Sequence, residues 1–128
     1  MKVVHEVNFP RYHDDIMLEH RTLFHVLGED AVATPFNVGD GLRLRAAPGY
    51  PRCKVAVVKN VDRVPLCPIG DDDLRRLNVP DAAAYLARWD ALHPEVPSSG
   101  NPEVWRIEFE YGWKDGSTPD PPEWSLAV

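Results

Sequence analysis

The sequence predicts a small α+β protein built on a largely antiparallel sheet that is curled or closed into a barrel. Stretches with the two-residue alternation of strands outnumber the stretches with helical spacing. Most neighbouring stretches are joined by turns, and the helical stretches are grouped instead of alternating with strands. The resulting order, β-α-β-β-β-α-α-β, does not fit a doubly wound fold.

The chain opens with a strand, a helix and a second strand. Residues 2–9 alternate with period two, and Pro10 ends this strand and suits the first turn of a short helix over 11–20. Residues 22–27 are rich in β-favouring side chains and predict the second strand. A loop without a regular period follows over residues 28–36.

A glycine-containing turn at residues 38–41 leads into the third strand, residues 42–45. Its glycines tolerate positive φ, and the Asp40 side chain is expected to bond its own turn backbone. Two leucines then alternate with Arg43 and Arg45, so one face of the strand is apolar and the other carries two guanidinium groups.

A further strand and two helices come next. Residues 53–61 form a nearly continuous apolar run, which is typical of a strand that is central or buried on both faces. Three aspartates, 71–73, precede a helical pattern. We interpret them as the cap and first turn of a helix, where negative charge is favourable, and not as a metal site. A second helix restarts over 78–81 with Pro80 in its first turn, and its apolar stripe predicts Trp89 as a core residue.

Residues 104–113 are the clearest strand in the chain. Trp105, Ile107 and two further aromatic residues point one way, and charged residues point the other. The proline-rich stretch 114–128 predicts an irregular tail, which divides the chain into a domain of residues 1–113 and the tail.

Composition limits the possible functions. The 128 residues carry a net charge of −6, which argues against a general nucleic-acid coat. Residues 1–63 hold nine basic and eight acidic residues, whereas residues 64–128 hold five and twelve. An anion-binding surface is therefore expected mainly in the first half.

The sequence predicts a cytoplasmic protein that needs no metal and no cofactor. No apolar run approaches the roughly 20 residues of a membrane span, and the N-terminus lacks a signal-peptide pattern. Cys53 and Cys67 are expected to be free thiols, and they lack the neighbouring histidines of a zinc site.

Four segments, taken in order, resemble the ASCH domain family, a branch of the PUA-like β-barrels linked to RNA. These are FPRYHDDIMLEHRTLFHV, PFNVGDGLRLR, KVAVVKNVDRVPLCPIGDDDL, and the Trp-bearing helix with NPEVWRIEFEY. Together they cover residues 3–111. The resemblance implies a PUA-like barrel with two to three flanking helices and a ligand cleft between the first helix and the barrel.

The family's Gly-x-Lys-x-x-Glu-x-Arg pattern is not kept. Its four positions fall on Glu19, Arg21, Phe24 and Val26, although Arg21 keeps the positive charge and Thr22 keeps a hydroxyl beside it. Some members are amidohydrolases of acetylated cytidine that use a lysine, a threonine nucleophile and a glutamate. The threonine falls on Phe24, which has no nucleophile, and an arginine cannot act as a base.

The remaining carboxylate of that amidohydrolase site falls near Leu77 and Asn78, where none is present. The sequence therefore argues against this activity and leaves the enzyme question open. An enzyme with a rearranged site stays an alternative, either a modified-nucleoside amidohydrolase or a ribonuclease, because His20 and His25 lie beside cations that bind phosphate.

We expect an RNA or phosphate site formed by Arg21, Thr22, His25, Arg43 and Arg45. Strand alternation places Arg21 and His25 on one side, and the two later arginines share a face. Solvated arginines, or ion pairs with Glu6, Glu108 and Glu110, are the competing interpretation.

The preferred function is thus RNA or nucleotide binding. A protein-interaction module is a further alternative, which an exposed apolar patch around Trp113, Trp124 and the tail would favour. Tyr50 or Trp113 would stack a base if exposed.

Overall fold

The computed structural model describes residues 3–9, 15–16, 18–27, 36–45, 53–112 and 125–127, without the side chains of Cys53 and 125–127. The strands among them are β1 (Val4–Asn8), β2 (Leu23–Leu27), β3 (Gly41–Arg45), β4 (Cys53–Pro65), β5 (Glu103–Tyr111) and β6 (Ser125–Ala127). The helices are α1 (Asp71–Leu77), α2 (Ala82–Leu92) and a 3₁₀ turn (Ser98–Gly100).

The described strands form one mixed sheet in the order β2-β5-β4-β3-β1-β6. The pairs β2–β5, β5–β4 and β4–β3 are antiparallel, whereas β1 pairs parallel with both β3 and β6. The predicted α+β class with a mostly antiparallel sheet is confirmed.

Contacts across its concave face show that the sheet is curled. Strands β2 and β1 are four strand spacings apart, which is about 19 Å in a flat sheet. Nevertheless the Phe24 ring of β2 lies 6.2 Å from the Phe9 ring, which directly follows β1, and 5.5 Å from the Phe36 ring. The sheet therefore wraps around an apolar interior. Its fully buried members include Val7, Phe9, Phe24, Phe36, Leu42, Leu44, Val58 and Ile107.

A second apolar layer lies between the convex face of the sheet and the two helices, and both sides contribute side chains to it. It contains Leu23, Leu66, Leu77, Tyr85, Trp89 and Val104. Trp89 is only 3% exposed, and its indole Nε1 donates to the Val96 carbonyl at 2.9 Å, so its predicted core position is confirmed.

The helix starts follow local sequence signals. The three aspartates occupy the first turn of α1, as predicted, where the helix dipole favours negative charge. The side chain of Asp81 caps α2 by accepting from Ala84 N at 2.8 Å. Pro80 consequently lies before the cap, and its predicted place in the first turn was wrong.

Strand β4 is central, as predicted, but only one of its faces is fully buried. Ala56 and Val58 face the interior and are fully buried, whereas Val55 and Val57 are half-buried on the convex face. The two helices cover the β2 end of that face, which leaves β4 partly open beside β3. A register shift between Val58 and Asn60 then allows β4 to continue to Pro65.

Several predictions fall on residues outside the described ranges. Of the predicted helix 11–20, only Asp15 and Ile16 are described as helical. Tyr50, Trp113 and Trp124 lie outside as well. Three residues of the predicted tail do form the edge strand β6, and the division at residue 113 stays a prediction.

Cys67 is a free thiol. Cys53 begins the 13-residue strand β4 and Cys67 follows its end, so the extended strand keeps the two backbones too far apart for a disulfide. In the described part of the chain, no helix is both long and apolar enough to cross a membrane.

Candidate functional site

Strand β2 divides its side chains between the two layers. Phe24 and Val26 point into the interior, whereas Leu23 and His25 point toward the helices. The predicted alternation is therefore confirmed, but the His25 face is covered by helices.

Arg21 lies two residues before β2 and is the most unusual side chain of this region. It is 3% exposed, its Nε donates to the Leu23 carbonyl at 2.8 Å, and its guanidinium carbon lies 4.8 Å from the Phe9 ring centroid. Among the described residues its two Nη atoms have no hydrogen-bond or ion-pair partner. Burial lowers the pKa of this guanidinium, which nevertheless remains protonated.

A narrow recess opens beside Arg21, between β2 and α2. Its volume is about 10 Å³, room for a single water-sized group. The lining consists of Arg21, His25, Tyr85, Arg88, Trp89, Leu92 and His93.

Among the described residues, two guanidinium groups and one carboxylate lie at this recess. Arg88 pairs with Asp15, whose Oδ2 lies 3.2 Å from its Nη1, and Asn78 donates to the other carboxylate oxygen at 2.9 Å. Asp15 is the acidic group that raises the pKa of Arg21, but it makes no direct ion pair with it. One carboxylate thus serves two guanidinium groups.

His25 and Tyr85 form a buried neutral pair at the back of the recess. The His25 Nδ1 lies 2.8 Å from the Tyr85 hydroxyl. Burial, and then the charge of Arg21, lowers the pKa of His25 to about 4, while burial raises the pKa of Tyr85 to about 12. At neutral pH the imidazole is uncharged and the phenol keeps its proton.

Thr22 lies on a different surface. Its N–H donates to the Arg76 carbonyl at 2.8 Å, and its carbonyl accepts from Phe109 N at 3.0 Å. It lines a shallow depression that holds three glutamates and two cations, namely Glu19, Glu108, Glu110, Lys59 and Arg76. The surroundings of Thr22 are therefore not predominantly positive.

Arg43 and Arg45 are on β3, which β5 and β4 separate from β2. The Nε of Arg45 lies 2.5 Å from Glu6 Oε1, the ion pair that the sequence offered as the competing interpretation. Of the five predicted residues, the structure brings together only Arg21 and His25.

The position that the resemblance assigns to a nucleophile is inaccessible. Phe24 is completely buried in the interior, and Leu77 is buried under the helices. Asn78 donates to Asp15 and provides no carboxylate.

Sequence reasoning missed the contributions of α2. Tyr85, Arg88 and Leu92 recur at three- and four-residue intervals, which places them on one helix face. An arginine within an otherwise apolar helix face was the available signal.

The curled sheet with helices on one face is a small α+β fold. More particularly, it is the fold of an ASCH domain. An ASCH domain from Lactobacillus crispatus matches with a TM-score of 0.67 and 12% identity, over 85% of this chain and 79% of that one.

Two further solved structures share the fold. The hypothetical protein PH0355 matches with a TM-score of 0.63 and 14% identity, over 86% of this chain and 100% of that one. A DUF984 protein from Enterococcus faecalis matches with a TM-score of 0.66 and 6% identity, over 84% and 76% of the respective chains. No family model and no curated protein matches the sequence.

Proposed function

We propose that this protein binds RNA or a nucleotide by placing a phosphate oxygen in the recess beside Arg21. The observation that carries the proposal is the buried Arg21 guanidinium, whose Nη atoms lack a partner among the described residues. Among the described residues no carboxylate pairs directly with this guanidinium, and an oxyanion ligand would supply such a contact.

The geometry of the recess favours an oxyanion over a larger apolar group. Only one water-sized group fits inside, so one oxygen enters and the rest of the phosphate stays at the mouth. Arg88 lies at that mouth, 26% exposed, and supplies a second guanidinium. Two such groups match the charge and the hydrogen-bonding geometry of a phosphate.

An aromatic pair at the same mouth favours a nucleotide over free phosphate. The His93 ring lies 4.1 Å from the Trp89 ring, and His93 is half-buried. A partly exposed ring beside a phosphate site is a stacking surface for a base. The ASCH-like fold, by its likeness to a family linked to RNA, supports the same ligand class, and cytoplasmic RNA is the ligand that we infer.

The role of Arg43 and Arg45 in this function is that of outer contacts. Both lie on β3, away from the recess, and Arg45 is paired with Glu6. Any contact that they make with the RNA backbone is therefore secondary to that of Arg21.

The test is a titration of short labelled RNAs and of nucleoside monophosphates into wild-type protein and Arg21→Met. Loss of the Arg21 contact is expected to weaken binding by about ten- to a hundredfold, as for a charged hydrogen bond. Arg75→Met is the matched control, because Arg75 is a 74% exposed arginine on α1.

Equal RNA affinity for wild-type protein and Arg21→Met would disprove the site. Absence of binding by every RNA and nucleotide would disprove the function. Turnover of a nucleotide in the same assay would instead favour the enzyme alternative.

A further inference from the structure

A second pocket lies on the other side of His25, between the β4–β5 pair and the segment that leads into α1. Its volume is about 390 Å³, within the range of small-molecule sites. It is lined by His25, Asp62, Val64, Pro65, Leu66, Pro68, Ile69, Asp73 and Arg106. Neither Arg21 nor Arg88 belongs to it, so it differs from the proposed phosphate site.

One wall of this pocket is apolar. Val64 and Pro65 end β4, and Leu66, Pro68 and Ile69 continue the wall toward α1. Leu66 is 1% exposed and belongs to the layer beneath the helices, so it fixes this wall to the core. Such a wall receives the hydrocarbon part of a ligand.

The opposite wall is negatively charged. Arg106 donates from Nε to Asp73 at 2.9 Å and from Nη2 at 2.5 Å, and its Nη1 lies 3.7 Å from Asp62. The same guanidinium also pairs with Glu108. Three carboxylates therefore share one cation, and Asp62 is 47% exposed.

His25 supplies a polar atom that lacks a protein partner. Its ring is 4% exposed, its Nδ1 is engaged with Tyr85, and its Nε2 has no hydrogen-bond partner in the described part of the chain. When Nδ1–H donates to the Tyr85 oxygen, Nε2 is an acceptor. The imidazole adds no positive charge at neutral pH, so it does not repel a cation.

We infer that this pocket binds a small organic cation, an ammonium group attached to an apolar body. The ammonium donates to Asp62, to the remaining lone pairs of Asp73 and to His25 Nε2, and the hydrocarbon part packs against the proline-containing wall. Charge complementarity selects a cation over the anion that the recess beside Arg21 would hold.

The test uses 2-phenylethylammonium as the probe, with binding followed by NMR chemical shifts and by calorimetry. The neutral 2-phenylethanol has the same body without the charge, and methylammonium has the charge without the body. The probe is expected to bind at least tenfold more tightly than either.

Two variants locate the site. Asp62→Asn keeps the shape of the side chain at an exposed position, and it is expected to weaken probe binding about three- to tenfold. Asp73→Asn is expected to weaken binding about tenfold, while Asp72→Asn, a neighbour that pairs only with Arg75 and Arg76, leaves it unchanged.

Equal binding of 2-phenylethylammonium and 2-phenylethanol would overturn the inference, as would wild-type affinity in Asp62→Asn. Because Asp62 pairs weakly with Arg106, this variant is expected to fold even if Asp73→Asn does not.

Discussion

Two largely buried arginines, Arg21 and Arg106, have opposite electrostatic environments. Arg106 is 13% exposed and contacts three carboxylates, with Asp73 first among the causes that raise its pKa. Arg21 is 3% exposed, and burial lowers its pKa because no carboxylate contacts it directly. The same residue type thus forms direct ion pairs in one place, whereas in the other its nearest described carboxylate, Asp15, acts on it only at a distance.

This difference suggests that Arg106 contributes to the stability of the fold, whereas Arg21 serves in ligand binding. Arg106 joins β5 to α1 through Asp73, so its pairs hold the helix on the sheet. Arg21 makes one backbone hydrogen bond and one ring contact, which is little for a charge removed from water. Residues that reduce stability yet persist are typical of binding sites.

The largest effect is expected for Arg106→Met. Removing the guanidinium leaves Asp73 and Glu108 partly buried without their shared cation, so the free energy of unfolding should fall by about 2–4 kcal/mol. Urea unfolding measures it, and Arg75→Met, whose pair with Asp72 is exposed, should hardly change stability. Wild-type stability in Arg106→Met would remove the contrast between the two arginines.

A slightly smaller effect is expected from pH, through His25. Its pKa falls from 6.5 to about 4 on folding, so only the unfolded state takes up a proton between these values. The stabilisation present above pH 6.5 is therefore lost as pH falls through this window, by about 3 kcal/mol in full.

Urea unfolding at several pH values, with an NMR titration of His25, tests this expectation. His25→Phe should remove most of the slope between pH 6.5 and 4, although His93, with its lowered pKa, contributes in the same direction. A His25 that titrates near pH 6.5 in the folded protein would show that Arg21 and burial do not act on it.

A still smaller effect on stability is expected for Arg21→Met. The apolar side chain loses the Leu23 hydrogen bond but avoids burying a charge, so stability should stay within about 1 kcal/mol of wild type or increase. If Arg21→Met keeps its stability but loses RNA binding, Arg21 serves in binding and not in stability. A loss of several kcal/mol would instead make Arg21 structural, like Arg106.

Local features of the fold were predictable from the sequence because neighbouring residues determine them. Gly39 has φ of +93°, and Asp40 accepts from Asn37 N at 3.0 Å, as the turn chemistry required. The Asp40 carboxylate also lies 2.8 Å from the buried His5 Nε2, a tertiary contact that the turn pattern does not contain.

The site was less predictable because it depends on pairing between distant segments. His25 and Tyr85 are 60 residues apart in sequence and meet only because α2 packs over β2. Arg43 seemed close to Arg21 since their strands are consecutive, yet β5 and β4 lie between β2 and β3. The alternation of side chains predicts which face of the sheet each residue occupies. It does not predict which strands are neighbours in the sheet.

The smallest effects are expected on the third kind of arginine, on β3. Arg45 is 20% exposed and pairs with a 23% exposed Glu6, so Arg45→Met should lower stability by at most about 1 kcal/mol. If Arg43 and Arg45 contact RNA phosphates outside the recess, each Met variant should weaken RNA binding less than tenfold. The slope of the logarithm of RNA affinity against the logarithm of salt concentration should then fall by the amount of about one phosphate contact. RNA titrations at several salt concentrations separate this result from that of Arg21→Met, which should reduce affinity at every salt concentration. A loss in Arg43→Met as large as that in Arg21→Met would move the binding site from the recess to the β3 face.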